Sequence, residues 1–184
     1  AGLRLRKTLP ARIGLLLAAA YLSIGWLQHQ RAEDAMRAAA LLHGHAAERL
    51  TVKPTMGNLL LWRSIYRYGD TYHVDAVRVG LDGAGRVYPG ATVRAFDVAR
   101  DRPGLSKASV LYGDILRFDL FSDGYLALHP DDPGLLGDVR YAMLPTSTRP
   151  LWGIRLDTQH PEAHGQFEAS RRMSREEIER FIGM

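Results

Sequence analysis

Five residues in this chain have the types and spacing for ligand chemistry: Trp62, Arg63, Tyr72, Asp138 and Arg140. Asp138 and Arg140 alternate with Val139 and Tyr141, so on a strand both charges project from one face. There they either line a ligand site or form an architectural ion pair, and the ion pair is the favoured reading. Trp62 and Arg63 are neighbours in an apolar run and point to opposite faces, which makes Trp62 a core anchor first and a ligand platform second. Tyr66, Tyr68 and Tyr72 offer an aromatic wall, with core packing again the simpler use.

Histidines are the remaining metal candidates, because the sequence holds no cysteine and so no thiolate site, disulfide or cysteine nucleophile. His43 and His45 stand two apart on an expected helix, about 200° around its axis, and do not share an ion. Asp157, His160, Glu162 and His164 lie within DTQHPEAH, but Pro161 breaks the helix that would align an i,i+4 pair, and a solvated loop is the expected state. No HExxH, Walker loop, GxSxG elbow or dinucleotide fingerprint occurs, and Asp82-Gly83-Ala84-Gly85 has the chemistry of a hairpin turn. No catalytic or metal-ligating residue is therefore assigned.

The elements that must position these side chains begin with a leader. Of 184 residues 46% are hydrophobic, enough for a genuine core. The chain has 24 basic and 20 acidic residues, but Arg4, Arg6, Lys7, Arg12 and Arg31 precede every acid, leaving a body of 19 bases against 20 acids. A near-neutral body lacks the clustered basic face a nucleic-acid binder needs. Between these leader bases, Ile13 to Leu27 (IGLLLAAAYLSIGWL) carries no charge. As a helix it is about 22 Å long, and extension back to Leu9, with Arg12 snorkelling to the headgroups, makes a single span feasible. Trp26 sits at its edge, where an interfacial ring belongs. A signal peptide and a buried core helix are the rival readings. The QHQRAEDA that follows is poor for cleavage, so an uncleaved span is expected. The preceding bases favour a cytoplasmic N-terminus and place the body on the far side, periplasmic in a Gram-negative cell.

Residues 31–50 are rich in helix formers and are expected to continue the span as a stalk, with Met36, Ala39, Ala40, Leu42 and His43 approximating one face and Pro54 ending it. The body then shifts to Val, Tyr, Trp, Phe and Leu in short runs. Strands are expected near Leu60–Tyr68, Thr71–Leu81, Arg86–Tyr88 with a continuation to Phe96, Ile115–Phe121, Tyr125–His129, Val139–Leu144 and Leu151–Leu156. Turns at Gly69-Asp70, Asp82–Gly85, Ser122-Asp123-Gly124 and Asp131–Gly134 favour antiparallel hairpins. Pro103–Gly113 reads as a short helix, Asp157–Ser170 as a loose polar connector, and Ser174–Ile182 as a terminal helix opened by a capping box at Ser174 and Glu177. The fold class is thus α+β: a membrane anchor over residues 1–30, a stalk over 31–50, and a mainly antiparallel β domain over 51–184 with one short helix and a C-terminal helix.

Pro54-Thr55-Met56-Gly57-Asn58, then Leu60-Leu61-Trp62-Arg63, Tyr72, Phe121-Ser122-x-Gly124-Tyr125 and Asp138-x-Arg140-Tyr141 form a succession that resembles the C-terminal part of the inner-membrane metal-dependent hydrolases, also labelled LexA-binding membrane hydrolases. The resemblance runs from about Ala11 through Gly183. It implies several membrane helices ahead of an extracytoplasmic β-rich domain, and a divalent metal at an HRGxTHS-like motif upstream. That motif does not occur here, and Met56 stands where members show a second proline. The resemblance adds Tyr125, so the candidate ligand-binding set is Trp62, Arg63, Tyr72, Tyr125, Asp138 and Arg140. It implies an accessory domain of a hydrolase whose catalytic centre lies outside this chain, with upstream membrane helices or an envelope protein as partners beside the lipid bilayer. The alternative is a non-catalytic, single-span envelope protein whose β domain binds a ligand or a protein.

Overall fold

The computed structural model describes residues 9–169 and Glu179. Helix α1 (Leu9–Leu42) is one unbroken rod, about 51 Å long at ~1.5 Å per residue. Its first half is apolar on every side, with Leu15, Leu16, Leu17 and Leu22 each 67–73% exposed, and the helix is long and apolar enough to cross a membrane. From Gln28 onward the pattern changes. Gln28, Ala32, Met36 and Ala40, spaced four apart on one stripe, are all buried.

That stripe lies on a five-stranded antiparallel sheet made of β1 (Arg49–Pro54), β2 (Leu61–Tyr68), β3 (Thr71–Val79), β4 (Gly85–Tyr88) and β5 (Thr92–Arg94). The strands run in the order β1-β2-β3-β4, with β5 pairing the opposite end of the β3 edge. Ala32, Met36 and Ala40 pack with Val52, Trp62, Tyr66, Val77 and Val79 on the helix-facing side. Small side chains at 32 and 40 let the helix approach closely, while Met36 fills the gap between them.

After α2 (Val98–Asp101) and α3 (Val110–Phe121), a second antiparallel sheet runs β6-β7-β8-β9: β6 (Leu126–His129), β7 (Asp132–Asp138), β8 (Trp152–Arg155) and β9 (Gln166–Ala169). Ile65, Tyr72 and Val74 from the other face of the first sheet pack with Ala95, Tyr125, Ala127 and Val139. Leu111, Ile115 and Phe118 of α3 pack on Leu126, Leu136, Ile154 and Leu156. The α+β class is as the sequence indicates, built as helix, sheet, sheet and helix in layers.

Several boundaries differ from the sequence reading, each for a local reason. The stalk helix does not reach Leu50: it ends at Leu42, where Gly44 takes φ +75° and the His45 amide donates back to the Ala40 carbonyl at 2.9 Å. Residues 49–54 then alternate as β1 instead of closing the helix. Ile115–Phe121 is helix and not strand. Ser109 caps α3 by accepting from the Tyr112 amide, Gly113 lies inside it, and the Pro103–Gly113 helix is displaced to Val110–Phe121. Val139–Leu144 is not a strand, because the chain turns at Val139-Arg140 immediately after β7. The expected Asp131–Gly134 turn is largely the start of β7, the reversal falling at Pro130-Asp131. The connector at 157–169 docks on α3 through the Leu111 amide donating to the Pro161 carbonyl and the Gly165 amide donating to Asp114, and ends in β9. The tail helix expected at Ser174–Ile182 lies outside the described residues, Glu179 apart.

Truncating the seam side chain by Met36→Ala is expected to cost about 2–5 kcal/mol in chemical denaturation of the full chain in detergent, whereas Leu41→Ala on the exposed side should stay within about 0.5 kcal/mol. Equal losses would show that the helix is not seated on the sheet through this stripe.

Candidate functional site

Strand β2 is buried on both faces, and its pairing register decides what each side chain meets. Even-numbered residues face α1. Trp62 lies there with its indole N–H donating to the Leu59 carbonyl at 3.1 Å and the His29 ring edge-on at 5.6 Å. Arg63 faces the other way, so the two candidates are separated by the sheet, as their alternation implies. Tyr66 and Tyr72 are divided in the same manner and form no common wall.

Arg63 is 5% exposed, and both terminal nitrogens of its guanidinium bond to the 139–145 segment, while its buried Nε has no partner among the described residues. Nη1 donates to the Leu144 and Pro145 carbonyls at 3.0 and 2.9 Å, and Nη2 donates to the Val139 carbonyl at 2.7 Å. Burial pulls its pKa down to about 9, with the Asp138 charge resisting the fall. Asp138 itself has no solvent exposure. It accepts from Arg140 Nε at 2.9 Å and Nη2 at 2.7 Å and from the Arg140 amide at 3.0 Å, while Nη2 also donates to the Phe121 carbonyl at 2.8 Å. The pair is therefore intimate, but its geometry is a strand end and a turn folding back, not two neighbours on one strand face. Asp138 is a buried anion between two guanidinium groups, and its chemical role is to neutralise Arg63 and pin the turn.

Tyr72 and Tyr125 complete this side, their rings 5.6 Å apart. The Tyr72 hydroxyl donates to the Gly124 carbonyl at 2.7 Å, and burial raises its pKa to about 12. Arg49 caps Tyr125 at 4.5 Å from the ring centroid and pairs with Asp123 at 2.8 Å. Five of the six candidates thus converge between the sheets, where Arg63, Tyr72 and Arg140 bond to backbone carbonyls, Asp138 holds Arg140, and Tyr125 is covered by Arg49.

A cluster the sequence reading dismissed lies on the α1 face, past the end of the helix. Once α1 stops at Leu42, the turn carries His43 and His45 over β2 and β3, and their rings come within 5.9 Å. His45 stacks on Tyr68 at 4.4 Å, lies 4.6 Å from His73, and shares a 2.9 Å hydrogen bond with the Tyr66 hydroxyl. Tyr66 and His73, directly paired across β2 and β3, stack at 4.7 Å. Burial, reinforced by His45, lowers the His73 pKa, and burial raises that of neighbouring Asp75 although the Gly90 amide donates to it at 2.8 Å. The i,i+2 spacing hid this because a helical period was applied beyond Gly44.

His160 and His164 do not converge. His160 bonds Asp157 at 2.8 Å and His164 bonds Asp114 at 3.0 Å, both rings exposed. Among the described residues no group of three or more histidine, aspartate or glutamate side chains is placed to hold a metal ion. No family model, curated protein or solved structure matches the chain.

Asp138→Asn should cost about 3–5 kcal/mol by leaving Arg63 buried without its counter-charge, and the Asp138→Asn/Arg63→Met double variant should lose less than the sum of the singles. Additive losses in denaturant titrations would rule out the coupling. The His73 shift gives a pH test. Its folded pKa lies below the ordinary histidine value of 6.5, so its contribution is intact above that pH and is lost as pH falls toward the folded value. Asp75 acts oppositely and lower, its raised pKa adding stability only as it protonates. Thermal stability should decline as pH falls below the ordinary histidine range, and His73→Phe should flatten that slope; an unchanged slope would remove His73 as its source.

Proposed function

We propose that this chain is a membrane-anchored accessory module: α1 crosses the bacterial inner membrane with its N-terminus in the cytoplasm and holds the β domain in the periplasm against a protein or ligand. The supporting observation is the single helix whose apolar window is 0% buried while its continuation is built into the domain core. A core helix would hide that window, and the same uninterrupted helix carries Ala32, Met36 and Ala40 into the sheet. Arg4, Arg6, Lys7 and Arg12 set the orientation.

The domain's part in this reading is docking, not bond-making, because Arg63, Tyr72, Asp138 and Arg140 are spent on internal hydrogen bonds. The resemblance to membrane metal-dependent hydrolases fits a domain that trails a catalytic centre located elsewhere and steers substrate or a partner toward it. Under that reading any divalent metal belongs to the upstream part.

Expressed in a Gram-negative host, the chain should stay with membranes through high salt and alkaline carbonate, and protease added to spheroplasts should digest the β domain. Release by salt, or full protection of the domain from protease, would overturn the anchoring or the orientation respectively. Hydrolase profiling of the full genomic frame beside this chain should find activity only in the former.

A further inference from the structure

We infer that the end of the first sheet nearest the span is itself a lipid-binding surface, resting on the anionic bilayer through the β1–β2 and β3–β4 loops. This rests on the anchored reading and deepens it by naming what the domain touches first. The helix supplies the ruler. Gln28, the first residue after the apolar run, donates from Nε2 to the Val79 carbonyl at 3.2 Å, so the end of β3 lies where the span ends. A side chain at Gly25 would meet Leu59 Cδ2 at 3.7 Å, so the β1–β2 loop reaches back to the level of the apolar run itself. Arg31 Nη1 donates to the Leu81 carbonyl at 3.4 Å, placing the β3–β4 loop about 6 Å past Leu27 along the axis, within the depth of a headgroup layer.

Both loops present large apolar side chains outward at that level. Met56 is 103% exposed and Leu81 78%. Neither is a loose tip. The Asn58 side chain accepts from the Leu60 and Leu61 amides at 2.7 and 3.1 Å, and Thr55 is tied through amide and hydroxyl to the Leu61 carbonyl. The loop that carries Met56 is thus held in one shape beside the last turns of the apolar run, which Leu59 reaches at Gly25. Charge completes the surface. Arg78 and Arg86 are directly opposed across β3 and β4 and both exposed, with Arg86 lying over the Tyr88 ring at 5.0 Å, so two cationic side chains share this end of the sheet. With Arg31 they place three guanidinium groups around the same end of the sheet, where bilayer phosphates lie. Continuity with the span and this charge together select lipid over a protein groove as the occupant.

The absence of cysteine from the sequence makes the test direct. Met56→Cys, Leu81→Cys, Ser23→Cys within the span and Leu42→Cys at the far end of α1 are each labelled with an environment-sensitive fluorophore in the full chain. They are then reconstituted in phosphatidylcholine/phosphatidylglycerol vesicles containing headgroup- or chain-quenching lipids. Labels at 56 and 81 should shift to the blue and be quenched by headgroup-level quenchers, the label at 23 by chain-level quenchers, and the label at 42 by neither. If 23 is quenched while 56 and 81 behave like 42, the span stands and the loop surface is refuted. If 23 is not quenched, the anchored reading fails and this inference falls with it. Replacing both Arg78 and Arg86 by Gln should weaken quenching at 81 in phosphatidylglycerol vesicles but not in pure phosphatidylcholine; equal quenching in both would remove the arginines from the surface.

Discussion

The seam between α1 and the first sheet fixes how that sheet, on which the rest of the domain is stacked, sits against the apolar rod. Gln28, Ala32, Met36 and Ala40 form a stripe with one contact per turn, and it is met by Val52, Trp62, Tyr66, Val77 and Val79. No linker intervenes between the part of the helix that is apolar all round and the part that is amphipathic. The same backbone hydrogen-bond ladder serves both, so the solvent that suits each half changes within about one turn around Leu27.

On the opposite face of that sheet the constraint is electrostatic. Placing Arg63 at a fully buried strand position demands compensation, and the fold supplies it twice, through three carbonyls of the 139–145 segment and through the Asp138 carboxylate. The segment is drawn down onto the sheet as a result. Its Thr146 carbonyl accepts from the Ala91 amide at 3.0 Å and stands so near Gly90 that a side chain there would collide with backbone on two sides, Val74 and Thr146. A buried arginine of this kind adds little net stability but discriminates strongly among ways of closing the loop. That is why Arg63, Asp138 and Arg140 group together around the turn that follows β7.

Much of this was readable from the residue order, and the failures have specific causes. Runs of strand-forming residues bounded by turn residues identified β2 and β3 almost to the residue, and strand alternation parted Trp62 from Arg63. Ile115–Phe121 misled because in ILRFDLF the charges Arg117 and Asp119 alternate with apolar residues, as on a half-buried strand; the helical spacing of Leu111, Ile115 and Phe118 shows only when the window begins at Ser109. Strand β7 was invisible for the opposite reason, since Pro133, Gly134 and Gly137 are turn residues by propensity. Gly137 is there for a tertiary reason: a Cβ would strike Pro150. The histidine cluster could have been found by taking Gly44 as a helix stop, but its partners Tyr66 and His73 come from pairing between strands, which local spacing does not encode.

The unbroken rod also has a rotational consequence. Each residue of α1 advances the helix by about 100°, and the stripe that grips the sheet is fixed by Gln28, Ala32, Met36 and Ala40. The compass bearing of the β domain about the α1 axis is therefore locked to the flank that the apolar half turns outward. Anything that packs against one side of Leu15–Leu22 would thereby choose which edge of the domain it confronts some 20–30 Å along the rod, and torque applied to the apolar half would reach the globule without slack.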